Sequence, residues 1–213
     1  EHFLPCLAEN GCEVTVEESN DVYADDAVMG RTDLVLQCVT MSEISDAALR
    51  GLREAVRRGT GLAGWHGGIA DSYRASSDYL QLIGGQFATH PSKEPEACTG
   101  DESDNFLPHQ VELTELGRAH PITAGLTDFP LTTEQYWVLH DGLNDVLATT
   151  THAVQPYHPW HRPLTCPAVW TRRWGAGRVF VATPGHSLDV LTDPNVSTII
   201  RRGLLWASRT GSE

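Results

Sequence analysis

The sequence predicts an α/β protein: a mostly parallel central sheet with helices on both faces, and an antiparallel hairpin in the C-terminal half. Three observations carry this. Helix-periodic and strand-length apolar segments alternate as far as residue 83, the order that parallel sheets produce. The runs Asp33–Val39 (DLVLQCV) and Gly61–Trp65 are largely apolar, as strands covered on both faces are. Trp174-Gly175-Ala176-Gly177 joins two further apolar runs, which is a hairpin signal.

The elements follow in order. Phe3 to Leu7 reads as the end of a helix closed by Asn10-Gly11. Glu13 to Glu17 alternates around Val14 and Val16 and reads as a strand. Asp21 to Met29 reads as a short helix, and Asp33 to Val39 as a strand. Ser45 can cap a helix through Arg58, with Ala48, Leu49, Leu52 and Val56 on one face and Gly59 as its stop. The strand Gly61–Trp65 runs into His66-Gly67-Gly68 and then a helix from Ser72 to Ile83. Gln86 to Ala88 is a further strand-like run, and the polar residues 89–108 read as a long loop. Strands are expected at Gln110–Glu115, 145–150, Pro167–Arg172 and Arg178–Thr183, with a closing helix at Asn195–Ala207. No repeat or linker divides the chain, so residues 1–213 are expected to form one domain. A doubly wound sheet normally opens with a strand. This chain opens in a helix, so either a first strand is missing from it or another element fills the sheet centre.

Composition narrows the function. The 213 residues are 40% hydrophobic and 20% charged, which is ordinary globular composition. Lys and Arg number 15 against 28 Asp and Glu, a net −13. Such acidity argues against a nucleic-acid surface, which needs clustered cations. No apolar run is long enough to span a membrane. The five cysteines (Cys6, Cys12, Cys38, Cys98, Cys166) are odd in number and form no CxxC pair. Neither a disulfide framework nor a cysteine zinc site is indicated, and a reducing cytoplasm is the expected compartment. Cys38, inside an apolar run, is expected to be a core thiol.

Ligands of open parallel sheets gather at the C-terminal ends of strands. Gly64-Trp65-His66-Gly67-Gly68 sits at such an end. Flanking glycines allow a tight strand-to-helix turn that presents His66, in the manner of a nucleophile elbow. His66 would then ligate a metal or act as acid or base; the plain alternative is a capping histidine that stiffens the turn. His90 follows the Gln86–Ala88 run and is fixed by Pro91, either as a site residue or as an exposed loop histidine. Glu134, beside Tyr136 and Trp137, is expected to be partly desolvated, with a raised pKa that suits proton transfer, unless it is a solvated loop residue. His186 ends the run Val181–Gly185, again at a strand end. His66, His90 and His186 with Glu134 make a set that zinc or another divalent ion accepts, although their spacing is not a local metal motif. Trp65, Trp170, Tyr136, Gly67, Gly68 and His90 are the candidate substrate contacts, since aromatic faces stack on sugar rings. His152, His158 and His161 lie in a Pro- and aromatic-rich stretch that reads as a rigid loop packing its rings. The sequence has no P-loop, no GxGxxG after a strand, no GxSxG and no HExxH.

Taken together, six segments resemble the ThuA-like (trehalose utilisation) family. They are Gly61-Leu-Ala-Gly-Trp-His-Gly-Gly-Ile, Gly84-Gly-Gln-Phe-Ala-Thr-His-Pro, His120-Pro-Ile-Thr-Ala-Gly-Leu, Glu134-Gln-Tyr-Trp, the stretch from Pro167 to Val179, and Pro184-Gly-His. The resemblance implies a flavodoxin-like three-layer sandwich of the class I glutamine amidotransferase type. It aligns His66 with the amidotransferases' catalytic cysteine and His186 with their catalytic histidine. Ser187-Leu188 follows where Pro-Glu would be, so thiolate glutaminase chemistry is excluded. The family's Asp-Glu pair before its Tyr is Thr133-Glu134 here, so only Glu134 carries over. The resemblance also links the chain to trehalose, related disaccharides and their keto derivatives.

Two readings follow. In the first, the protein is an enzyme of carbohydrate metabolism. His66, Glu134 and His186 are catalytic, a small-molecule sugar is the partner, and a divalent metal such as zinc at His66, His90 and His186 is the one cofactor expected. In the second, it is a non-catalytic sugar-binding or assembly protein on the same scaffold. A homodimer is a further expectation, through an apolar patch around Trp206.

Overall fold

The computed structural model describes residues 2–209. Its centre is a seven-stranded sheet. In chain order the strands are β1 (Leu34–Gln37), β2 (Gly61–Trp65), β4 (Phe106–Leu113), β5 (Phe129–Glu134), β7 (Asp145–His152), β8 (Leu164–Trp174) and β9 (Gly177–Ala182). In space the order is β1-β2-β9-β8-β7-β4-β5. A separate antiparallel pair joins β3 (Gly85–Thr89) to β6 (Trp137–His140).

The sheet is mixed rather than mostly parallel. Only β1–β2 and β2–β9 run parallel; β9–β8, β8–β7, β7–β4 and β4–β5 are antiparallel. The expected hairpin β8–β9 is therefore the hinge where the sheet changes sense. Beyond it every neighbouring pair is antiparallel, although the connections range from the tight β8–β9 turn to the segment with α6 between β4 and β5.

The described helices are α1 (Leu4–Glu9), α2 (Asp26–Arg31), α3 (Asp46–Arg58), α4 (Gly67–Ala70), α5 (Ser77–Ile83), α6 (Glu115–Ala119), α7 (Leu188–Leu191) and α8 (Pro194–Ala207). The Ser45 hydroxyl accepts the Ala48 N–H at 3.2 Å and starts α3, and Gly59, at φ +122°, ends it. Asp193 caps α8 through the N–H groups of Asn195 and Val196, with Pro194 in the first turn. Gly203 of α8 rests directly on Phe180 of β9, where a Cβ would lie 2.3 Å from the ring. Alternate residues feed two cores. Leu62, Val179, Val181 and Trp170 face Leu52, Val56 and Leu82. Ala63, Phe180, Ala182 and Val169 face Ile199, Ile200 and Leu204. A period of two along each strand places the two sets on opposite faces of the sheet.

Several expected elements differ. Residues 13–17 form no strand: Val14 and Val16 are exposed, and β1, the edge strand, pairs only with β2. The helix expected at Asp21–Met29 is a 3-10 turn (Asn20–Ala24) followed by α2, because Asp25 caps a new helix through Ala27 and Val28. The helix expected from Ser72 to Ile83 starts at Ser77, capped by Ser76. β5 and β6 were not foreseen. Cys38 is exposed rather than a core thiol, since β1 ends at Gln37 and Cys38 starts the loop beyond it. Trp206 is half-buried, with His120 at 5.5 Å and the Arg178 guanidinium over its ring, and so does not head an apolar patch. Among the described residues no helix is long and apolar enough to cross a membrane.

Candidate active site

β2 and β9 are parallel neighbours, with Trp65 beside Ala182. The turns after them therefore leave the sheet at the same edge, and these turns carry His66 and His186. His66 has φ +54° and ψ −149°, a conformation that non-glycine residues rarely hold. Its N–H is bound by the Ala182 carbonyl at 2.7 Å, and its carbonyl accepts from Ile69 and Ala70. The sharp turn expected from the flanking glycines is thus present, and it is held from both sides. Gly185, at φ +147°, lies against Trp65, where a Cβ would come within 2.5 Å of the indole. Glycine lets the chain pass this close and turn His186 back toward His66.

The other two groups come from elsewhere in the chain. Glu134 ends β5, paired with Phe106 of β4. His90 follows β3. Three imidazoles converge on one carboxylate oxygen. Glu134 Oε2 lies 3.0 Å from His66 Nε2, 3.0 Å from His186 Nδ1 and 3.3 Å from His90 Nε2. His66 Nε2 and His186 Nδ1 are 3.2 Å apart. The Glu134 side chain is only 9% exposed, and the surrounding histidines keep 15–20%. The cluster is sunk but reachable.

The outer nitrogens fix the tautomers. His66 Nδ1 lies 3.0 Å from the Thr183 carbonyl and His90 Nδ1 lies 3.3 Å from the Gln135 carbonyl. A carbonyl only accepts, so both Nδ1 atoms carry hydrogen and, in the neutral rings, both Nε2 lone pairs point at Glu134. His186 Nε2 faces the Glu102 carboxylate at 3.6 Å. Lone pairs on several nitrogens thus confront a carboxylate oxygen. That packing is repulsive unless protons or a cation lie among them.

The Glu134 carboxyl responds accordingly. Burial pushes its pKa up, but the His66 hydrogen bond and the charges of His90, His66 and His186 outweigh burial, leaving it below the usual carboxylate value. This reverses the expectation of a raised pKa, which considered the aromatic neighbours and not the three histidines. Burial pushes His90 down, against the pull of Glu134. Tyr136 stands behind the cluster, its ring 4.7 Å from His66 and 4.8 Å from His90. Burial, and then the Glu134 charge, push its hydroxyl far up, so it stays a neutral phenol.

The structure joins His66, His90, Glu134 and His186 and separates some of the other candidates. Trp170 is fully buried in the core, its indole N–H held by the Ile83 carbonyl at 2.8 Å, and is not a substrate contact. Trp65 packs edge-on against Phe3 at 5.0 Å. Gly67 and Gly68 allow close approach to Thr40, Tyr136 and Cys38. Within the described residues, ligand atoms of His66, Glu134 and His186 lie within 4.8 Å of one another, and His90 Nε2 is 3.3 Å from the shared Glu134 oxygen. Phe106, 5.1 Å from His186, was not foreseen and walls the site; it falls in the stretch read as loop.

This geometry gives the comparisons with known proteins their weight. The family model described as ThuA, trehalose utilisation, matches residues 1–207, and the chain belongs to that family. No curated protein sequence matches. Among solved structures, a ThuA-like protein from Bacteroides uniformis superposes with a TM-score of 0.69 at 16% identity, covering 99% of this chain and 84% of that one. A ThuA-like protein from Parabacteroides merdae gives 0.62 at 17%, covering 84% and 70%. A protein from Salmonella typhimurium described as cytoplasmic gives 0.61 at 16%, covering 98% and 86%. At these identities the likeness is one of fold.

Proposed function

We propose that the chain is a carbohydrate-metabolism enzyme that moves a proton at an oxygen, or at the carbon beside a keto group, of a disaccharide or ketosugar. The observation that carries this is the convergence of His66, His90 and His186 on Glu134 Oε2. A carboxylate held ionised among imidazoles is a general base with acids beside it. In this reading Glu134 takes the proton, and His186, whose ring no carbonyl ties to one tautomer, returns one to the opposite oxygen. The scaffold is of the amidotransferase type. With a histidine at the elbow, thiolate glutaminase chemistry has no nucleophile there.

The tautomers also suit a divalent ion such as zinc. Imidazoles that ligate a metal commonly give their other N–H to a backbone carbonyl, as His66 and His90 do here. His66 Nε2, Glu134 Oε2 and His186 Nδ1 would hold the ion. It would polarise a sugar oxygen.

The deciding experiment is metal analysis of untagged, chelator-free protein, with turnover measured on trehalose, related disaccharides and their 3-keto forms. The same measurements are made on the His66→Ala/His186→Ala double variant. Turnover in the parent, lost in the variant without loss of fold, supports the enzyme reading; metal lost with it supports the ion. Sugar binding without turnover in the parent leaves a binding protein and ends the catalytic reading.

A further inference from the structure

A cleft of about 380 Å³ lies on the other side of the Glu134–Tyr136 segment. Leu107, His109, Gln135, His152, Tyr157 and His158 line it. That volume falls within the roughly 300–1,000 Å³ of small-molecule sites. Two of these histidines belong to the Pro- and aromatic-rich stretch, where ring packing alone was expected. The His158 ring does stack on Trp160, at 3.9 Å, but packing leaves polar atoms over.

His152 is fully buried. Its Nε2 lies 3.0 Å from the Tyr136 carbonyl, so Nε2 carries the hydrogen and Nδ1 is a bare acceptor. Nδ1 is buried and has no partner among the described residues. Burial, followed by lesser effects of nearby histidines, pushes the His152 pKa down to about 4, which keeps the ring neutral near pH 7. His158 Nδ1 accepts the Gln155 N–H at 3.2 Å, while the nearby Ala153 carbonyl receives the Trp160 indole N–H at 3.1 Å. On that assignment His158 Nε2 carries a hydrogen, and it too is buried without a partner among the described residues. Leaving such an atom unsatisfied is costly, and native proteins seldom do so without reason.

We infer that this cleft is a second ligand site, distinct from the Glu134 centre, for a neutral, hydroxyl-rich molecule about the size of a sugar ring. A hydroxyl both donates and accepts, and so answers a bare acceptor and a bare donor buried in two residues of the cleft wall. No lysine or arginine lines it, and Glu112 does, so an anion is disfavoured. Tyr157 offers an aromatic face of the kind that sugar rings stack on. The inference stands whether or not the Glu134 centre turns over substrate.

The test is isothermal titration of the full chain with trehalose, D-glucose and D-glucose 6-phosphate. It is run on the parent, on His66→Ala, on His152→Leu and on His158→Ala, the last lying in a partly exposed loop. Expected are trehalose or glucose binding that survives His66→Ala and weakens about tenfold in His158→Ala, the loss of one good hydrogen bond. His152→Leu should weaken it at least as much. Unchanged affinity in folded His158→Ala, no binding of either sugar at tens of millimolar, or tighter binding of the phosphate than of glucose would each overturn it.

Discussion

The two halves of the sheet are built differently. β2 and β9, in the parallel half, bury only glycine and apolar side chains. The antiparallel strands β5, β7 and β8 bury Thr133, Thr150, His152, Thr171 and Arg172. The parallel half buries a single polar strand residue among those described, Gln37 of β1, which is bonded to Tyr23, Ser72 and Tyr79. The antiparallel half buries more of them and pairs most, leaving His152 Nδ1 and Arg172 Nε without a partner among the described residues. Arg172 reaches Asp141 and Asn144 at 3.0 and 3.1 Å, and the Gln135 amide reaches Thr150 at 2.7 Å. The cluster around Glu134 sits on the seam. The parallel half supplies His66 and His186 from turns, whereas Glu134 comes from an antiparallel ladder. One half gives rigidity through packing, and the other positions groups through polar contacts that pH and mutation can loosen.

The largest effect should come from cutting the tie between the halves. Trp170 of β8 packs over Gly85 at the start of β3 and hydrogen-bonds the end of α5. Trp170→Ala should cost about 3–5 kcal/mol, measured by urea unfolding. A cost below about 1 kcal/mol would mean that the halves do not depend on this contact.

How much of this the sequence showed follows the same division. α3, α8, β2 and the hairpin were legible because caps, stops and apolar runs are local signals. β5 was not, because its inward residues are Phe129, Leu131 and Thr133, and a buried threonine breaks the hydrophobic count. Residues 13–17 misled because alternation describes a strand only where a neighbour completes the ladder. All four residues of the cluster could be picked out from their strand ends and neighbours. Their convergence on one oxygen could not, since it depends on strand order. His152 gave no signal, because nothing local marks a histidine that will be wholly buried.

Acid should sharpen the comparison next. His152 is neutral when folded, with a pKa near 4, and titrates near 6.5 when unfolded. Between these values the unfolded chain binds the extra proton, so stability is full above pH 6.5 and falls as pH drops toward 4. The loss from this group is on the order of 3 kcal/mol. Hydrogen exchange at pH 7 and pH 4.5 should show protection falling most in β7 and its neighbours β8 and β4, and least in β2. Equal loss in both halves would refute the division. His152→Leu should flatten this part of the pH slope.

The smallest effect isolates His66, which with Met41 is one of two non-glycine residues at positive φ among those described. His66 holds φ +54° because its neighbours on both sides fix it there. Glycine adopts that conformation freely, while alanine suffers the same backbone strain as histidine. His66→Gly and His66→Ala both remove the ring, its hydrogen bond to Thr183 and its contact with Glu134. The difference between them therefore reports the strain less the extra chain entropy that glycine loses on folding. His66→Gly should be the more stable variant by about 1–2 kcal/mol, read as a higher midpoint of thermal unfolding, with both variants inactive. If the two melt together, the turn relaxes once the imidazole is gone. The strain would then be imposed by the ring's contacts with Glu134 and Thr183 and not by the strand-to-helix turn.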